Sequence, residues 1–177
     1  MPSLLSKIFT ILRGVVYSAA FIWLWAWLAI SVRTLDTQLP LSLPDWLHPF
    51  GYLLASAGAL LTGTCIAMFV TKGRGTPAPF DPPREFVASG PYRFVRNPMY
   101  VGGTTVILGV GLALGSPSIV MLAVAFLLTM HLFVVVHEEP ALTASFGVSY
   151  QRYCSSVRRW LIRIPKPDAL RGVRAQR

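Results

Sequence analysis

Two tyrosines, two arginines and an asparagine fall within the stretch Tyr92-Arg93-Phe94-Val95-Arg96-Asn97-Pro98-Met99-Tyr100, directly ahead of an apolar run of membrane grade. Gly90-Pro91 reads as a turn and Asn97-Pro98 as a second break, so the residues between them can present polar side chains at a bilayer surface. A second polar cluster, His137-Glu138-Glu139-Pro140, follows the last apolar run. Chemistry in this chain belongs at the membrane boundary where the two clusters meet, and the apolar elements between them must bring them to one face.

Those elements dominate the composition. Of 177 residues, 54% are hydrophobic and only 13% charged, with a mean hydropathy of +0.56, which is too apolar for a soluble domain of this length. The net charge of +9 comes from basic residues flanking apolar spans, and that pattern points to a lipid-facing surface. No aromatic-basic module of a known type accompanies the charge, so no nucleic-acid partner is expected. Cys65 lies inside an apolar run and Cys154 in a basic segment, which argues against a disulfide framework. Cys154 has serines and arginines around it and no base, and reads as structural. No metal site is expected.

The first span runs from Gly14 to Val32 and carries Trp23, Trp25 and Trp27 at alternate positions, which suits lipid contact and packing. A polar, proline-containing loop follows, and Phe50 to Val70 is a second span rich in Ala and Gly, which favours close helix approach. Thr71 to Met99 is a long polar connection whose prolines prevent a regular helix. Val101 to Gly115 is a short apolar run, separated by Ser116-Pro117 from a longer one, Ser118 to Val136; together they read as a helical hairpin. At about 1.5 Å per residue the shorter arm reaches about 22 Å, less than a hydrocarbon core of about 30 Å. It therefore either extends back through the Tyr92–Tyr100 stretch or enters the membrane obliquely behind its neighbours. His131, inside the longer arm, is either functional or a neutral ring bonded to a neighbouring carbonyl.

After Glu139, the residues Leu142, Phe146, Tyr150, Tyr153, Val157, Trp160 or Leu161 and Ile164 recur at three- to four-residue steps, with Arg152, Arg159 and Arg163 between them. That spacing predicts an amphipathic interfacial helix over 139–164, and Lys166 to Arg177 reads as a basic tail. The expected fold is an all-α integral membrane protein with four membrane-embedded helices and this C-terminal helix. Residues 1–70 form an N-terminal pair of transmembrane helices, and residues 71–177 form a core containing the hairpin over 101–136. Fifteen of the sixteen Lys and Arg fall in the N-terminus, the 71–99 connection and the segment after 137. The positive-inside rule then places both termini, the Tyr92–Tyr100 stretch and the glutamate pair on the cytoplasmic face of a multi-pass protein.

Four pieces in order, Gly90-Pro91-Tyr92, Arg96-Asn97-Pro98-Met99-Tyr100-Val101-Gly102, Glu138-Glu139 and Phe146-Gly147-Val148-Ser149-Tyr150-Gln151-Arg152-Tyr153, resemble the membrane methyltransferases that include isoprenylcysteine carboxyl methyltransferase and phosphatidylethanolamine N-methyltransferase. The similarity covers roughly residues 70 to 165. It implies a helical membrane enzyme that binds S-adenosylmethionine at the cytosolic end of the hairpin. By position it implies cofactor contacts from Arg84, Phe86, Val87, Tyr92, Asn97, Pro98, Met99, Tyr100 and Glu138. The cofactor's sulfonium and ammonium suit a carboxylate and aromatic faces. The methyl acceptor is expected on a lipophilic small molecule or lipidated substrate arriving from the membrane lipids, with displacement in line and water excluded. Glu139, Tyr100 and Arg158 are the candidate catalytic residues, with Tyr92 a further one for positioning.

Two departures bear on the substrate. Asn97 stands where the family usually has His, which keeps hydrogen bonding and removes proton transfer. Val134 stands where the prenylcysteine enzymes place a substrate-binding arginine, a role that Arg158 or Arg159 could take. The reading is most like a prenylcysteine-type carboxyl O-methyltransferase; its alternatives are a phospholipid amine N-methyltransferase, a sterol-reductase-like protein and a non-catalytic scaffold.

Overall fold

The computed structural model describes residues 4–69, 71 and 88–163. Five α-helices, α1 (Leu4–Arg33), α2 (His48–Met68), α3 (Pro98–Ala113), α4 (Pro117–Phe133) and α5 (Glu139–Ser156), account for most of them, and no strand occurs among the described residues. The protein is an all-α membrane protein. Three stretches, Leu12–Gln38, Asp45–Met68 and Pro117–Ser156, are long and apolar enough to cross a bilayer. The fourth, α3, has 16 residues and spans about 24 Å at 1.5 Å per residue. Its first residue is Pro98, so the helix takes in only the last three residues of the Tyr92–Tyr100 stretch and does not extend back through it.

The most extensive packing joins α2 to α3, and glycines spaced by seven make it possible. Gly51 and Gly58 of α2 face Gly109 and Gly102 of α3. A Cβ on Gly58 would sit 2.7 Å from the Gly102 carbonyl oxygen, and one on Gly109 would sit 2.7 Å from that of Gly51. The backbones touch, and no side chain larger than hydrogen fits the seam. Within a bilayer this matters more than apolarity, because lipid tails solvate leucine as well as protein does and helices associate through close contact.

On its other side α3 meets α4. Ile107, Ile119, Ala123, Phe126 and Met130 are buried together, and Trp25 of α1 stands edge-on to Phe126 with centroids 4.6 Å apart. Trp23 and Trp27 are exposed to the surroundings, so the alternate tryptophans divide between packing and lipid contact as expected.

The chain does not turn at the glutamates. The chain passes from α4 through a π-helical turn, Val134–Glu138, straight into α5. Pro140 is the cause: it has no N–H to donate and its ring crowds the preceding turn, and a wider turn accommodates both. Gly147 breaks α5 internally with φ 50° and ψ −127°, a conformation that glycine adopts without a Cβ penalty. The helix predicted to reach 164 ends at Ser156, where Val157 turns extended (φ −122°, ψ 131°). Residues 157–163 instead lie back along the Tyr92–Tyr100 stretch. The Arg96 N–H donates to the Arg158 carbonyl and the Arg163 N–H to the Phe94 carbonyl, both at 2.9 Å. The path expected for residues 72–87 and the basic tail after 164 lie outside the described residues.

Candidate functional site

Where α3 begins, a small open cleft with a cavity volume of about 30 Å³ is lined by Phe69, Tyr92, Arg96, Asn97, Met99, Tyr100 and Glu138. Three separate segments build it: the end of α2, the loop ahead of α3 with its first turn, and the π turn after α4. The Pro91-containing turn Gly90–Arg93 buries Tyr92, whose ring meets Phe69 edge-on at 5.6 Å. Tyr153 locks that turn by donating to the Tyr92 carbonyl at 2.6 Å. Burial pushes the Tyr92 phenol far above its ordinary value, so it stays protonated and acts as an aromatic wall.

The adjacent glutamates diverge. Tyr100 donates to Glu138 at 3.1 Å, and Glu138 has no cationic partner among the described residues. Glu139 is saturated: Arg159 forks onto its two oxygens at 2.8 Å each, and Arg96 reaches Oε1 at 3.0 Å. Hydrogen bonding to Glu139 raises the Arg159 pKa, so its charge is permanent. Arg96 also donates to the Cys154 sulfur at 2.9 Å. Asn97 is 8% exposed and donates through Nδ2 to the Arg159 carbonyl at 3.3 Å, which leaves its own oxygen as an acceptor. Farther from the cleft, the Trp160 indole donates to His131 Nδ1 at 3.0 Å, so this ring bonds to an indole where a carbonyl was the expected partner.

A family model described as phospholipid methyltransferase matches residues 46–149. The chain belongs to the phospholipid methyltransferase family. The match runs from the start of α2 through the cleft-forming loop, α3, α4 and the glutamate pair, so it contains every segment that lines the cleft. Comparison with curated proteins and with solved structures finds no match. The protein is thus a membrane methyltransferase by family.

Of the residues singled out in the sequence, Tyr92, Asn97, Met99, Tyr100 and Glu138 come together in this cleft. Pro98 lies beneath it, fully buried as the first residue of α3. Glu139 faces away from Glu138, toward the two arginines. The Arg158 side chain is exposed, and only its carbonyl takes part in this region. Arg84, Phe86 and Val87 lie outside the described residues. Sequence reasoning missed Phe69, an apolar residue at the end of a span with nothing to mark it, and gave no role to Arg96 despite its place beside Asn97. The reciprocal partners of Glu139 had no local signal, since they sit 43 and 20 residues away in the chain.

Proposed function

We propose that this methyltransferase uses S-adenosylmethionine to methylate a lipophilic acceptor that reaches the cleft from the bilayer. The observation that carries the reading is Glu138, a carboxylate without a cationic partner among the described residues, hydrogen-bonded to Tyr100 inside an aromatic cleft. A lone carboxylate in a poorly solvated site is costly unless something positive joins it. Phe69, Tyr92 and Tyr100 offer ring faces or edges beside it, and such a set suits a molecule carrying a sulfonium and an ammonium group. The residues therefore fit this cofactor.

When bound, S-adenosylmethionine supplies an electrophilic methyl group. The chain's own residues hold and shield. Glu138 balances positive charge, Tyr100 fixes the orientation of that carboxylate, the Asn97 oxygen accepts a hydrogen bond, and Phe69 and Met99 keep water out. Tyr92 stays neutral and takes no proton. The family's description favours a phospholipid amine as acceptor, while the Arg96 guanidinium lining the cleft favours a carboxylate of the prenylcysteine type. The charge distribution along the chain supports a cytoplasmic cleft.

Calorimetric titration of the purified protein with S-adenosylmethionine tests the reading, wild type beside Glu138→Ala. Binding by the wild type and its loss in the variant are expected; a well-folded wild type that binds no donor would overturn the proposal. Transfer of a labelled methyl group to phosphatidylethanolamine vesicles or to a farnesylcysteine analogue then decides the acceptor.

A further inference from the structure

Arg96 and Glu138 line the same small cleft, yet the salt bridge that forms is from Arg96 to Glu139. This is the less obvious pairing, because Glu139 already receives the whole fork of Arg159, while among the described residues Glu138 receives a phenol alone. We propose that Glu139 is a positioning residue that holds the Arg96 guanidinium off Glu138 and so keeps Glu138 free for the cationic methyl donor. The inference rests on the donor site proposed above and adds to it a reason for two consecutive glutamates of opposite disposition.

The physical argument is competition for one carboxylate. The Arg96 side chain is 14% exposed, and a guanidinium that far from water requires an anion. Without the Glu139 charge, the nearest carboxylate lining the same cleft is Glu138. Arg96 would turn to it and occupy the place of the donor's positive groups. Arg159 completes the arrangement: its side chain is 30% exposed and can reach solvent, so it supports Glu139 without itself threatening Glu138. Its carbonyl meanwhile holds Asn97. The Arg96 guanidinium bonds to Glu139 and Cys154, both supplied by α5, with Tyr150 and Tyr153 of the same helix near it, while its backbone N–H is tied to the Arg158 carbonyl.

The test is an epistasis measurement on the full chain in detergent, with S-adenosylmethionine affinity read by calorimetry and folding by thermal melting. Glu139→Gln is expected to weaken donor binding by about tenfold or more, the scale of an unpaired buried charge finding a new partner. Adding Arg96→Gln to Glu139→Gln is expected to restore affinity to within about threefold of wild type, near the additivity error of independent sites. Glu139→Asp, which keeps the charge, should retain donor binding. If the single Glu139→Gln variant does not fold, the double variant is read alone: wild-type-like affinity supports the proposal, and lost affinity in a folded double variant overturns it. Undiminished binding by folded Glu139→Gln also overturns it. A wild type that binds no donor would remove the proposed function itself, and this inference with it.

Discussion

The two ends of the helical bundle each hold a carboxylate against the start or end of α4, and they treat it in opposite ways. At one end Asp36, in the short helical turn after α1, takes a hydrogen bond from the Ser116 hydroxyl at 2.5 Å and from the Ser118 N–H at 2.9 Å. Both oxygens are used: one takes the hydroxyl of Ser116, the residue that caps α4, and the other the backbone N–H of Ser118 in the first turn of α4, a group that would otherwise lack a partner. At the other end Glu138 holds a single phenol hydrogen bond among the described residues. One carboxylate is finished by the fold and the other is left with capacity. A saturated acid fastens helices together, whereas the unsaturated one in the cleft is the one we propose for the ligand.

This contrast can be broken by substitution. The largest effect is expected at Glu138: the isosteric Glu138→Gln should weaken S-adenosylmethionine binding by about a hundredfold, roughly the worth of a poorly solvated charge pair, with little change in melting temperature. Asp36→Ala should do the reverse, costing about 1–3 kcal/mol of stability for unmet donors at α4 and leaving donor affinity intact. Thermal melting and calorimetry on the same two samples check both. If Asp36→Ala lost donor binding in the folded protein, the division between fastening end and binding end would fail.

Smaller effects sharpen the picture. Tyr100→Phe removes the phenol hydrogen bond on Glu138 and should weaken donor binding by about threefold to tenfold, the worth of a hydrogen bond to a charged acceptor. Tyr92→Phe is the limiting case. Its phenol is pushed well above the ordinary value, so it remains neutral at every pH where the enzyme would be assayed, and the substitution should leave the shape of the pH–rate profile unchanged. A profile that lost a limb in Tyr92→Phe would give that hydroxyl a proton-transfer role.

Much of the cleft was legible before any fold was known. Turn residues at Gly90-Pro91 and Asn97-Pro98 mark where a helix cannot pass and so locate the polar stretch, while Tyr92, Asn97, Met99, Tyr100 and Glu138 were named individually from what the resemblance to the membrane methyltransferases implies. The seam between α2 and α3 was visible as a wealth of small residues, though not as Gly51 and Gly58 set against Gly109 and Gly102. Residues 157–163 were read as helix from their spacing of three to four, but their backbone pairs with Phe94 and Arg96 and their side chains reach Glu139 and His131. Periodicity reports which residues are apolar, and a non-helical segment laid across a loop can carry apolar residues at the same spacing.

By itself the sequence determined a helical membrane protein with its polar motifs at the ends of the spans, because hydropathy and turn chemistry are local properties read residue by residue. Tertiary structure alone decided how two consecutive glutamates divide their labour. The π turn before Pro140 sets their directions, Arg96 and Arg159 arrive from distant segments to claim Glu139, and Glu138 is left facing the cleft. Charge pairing depends on distance in space, and neighbours in a chain do not share it.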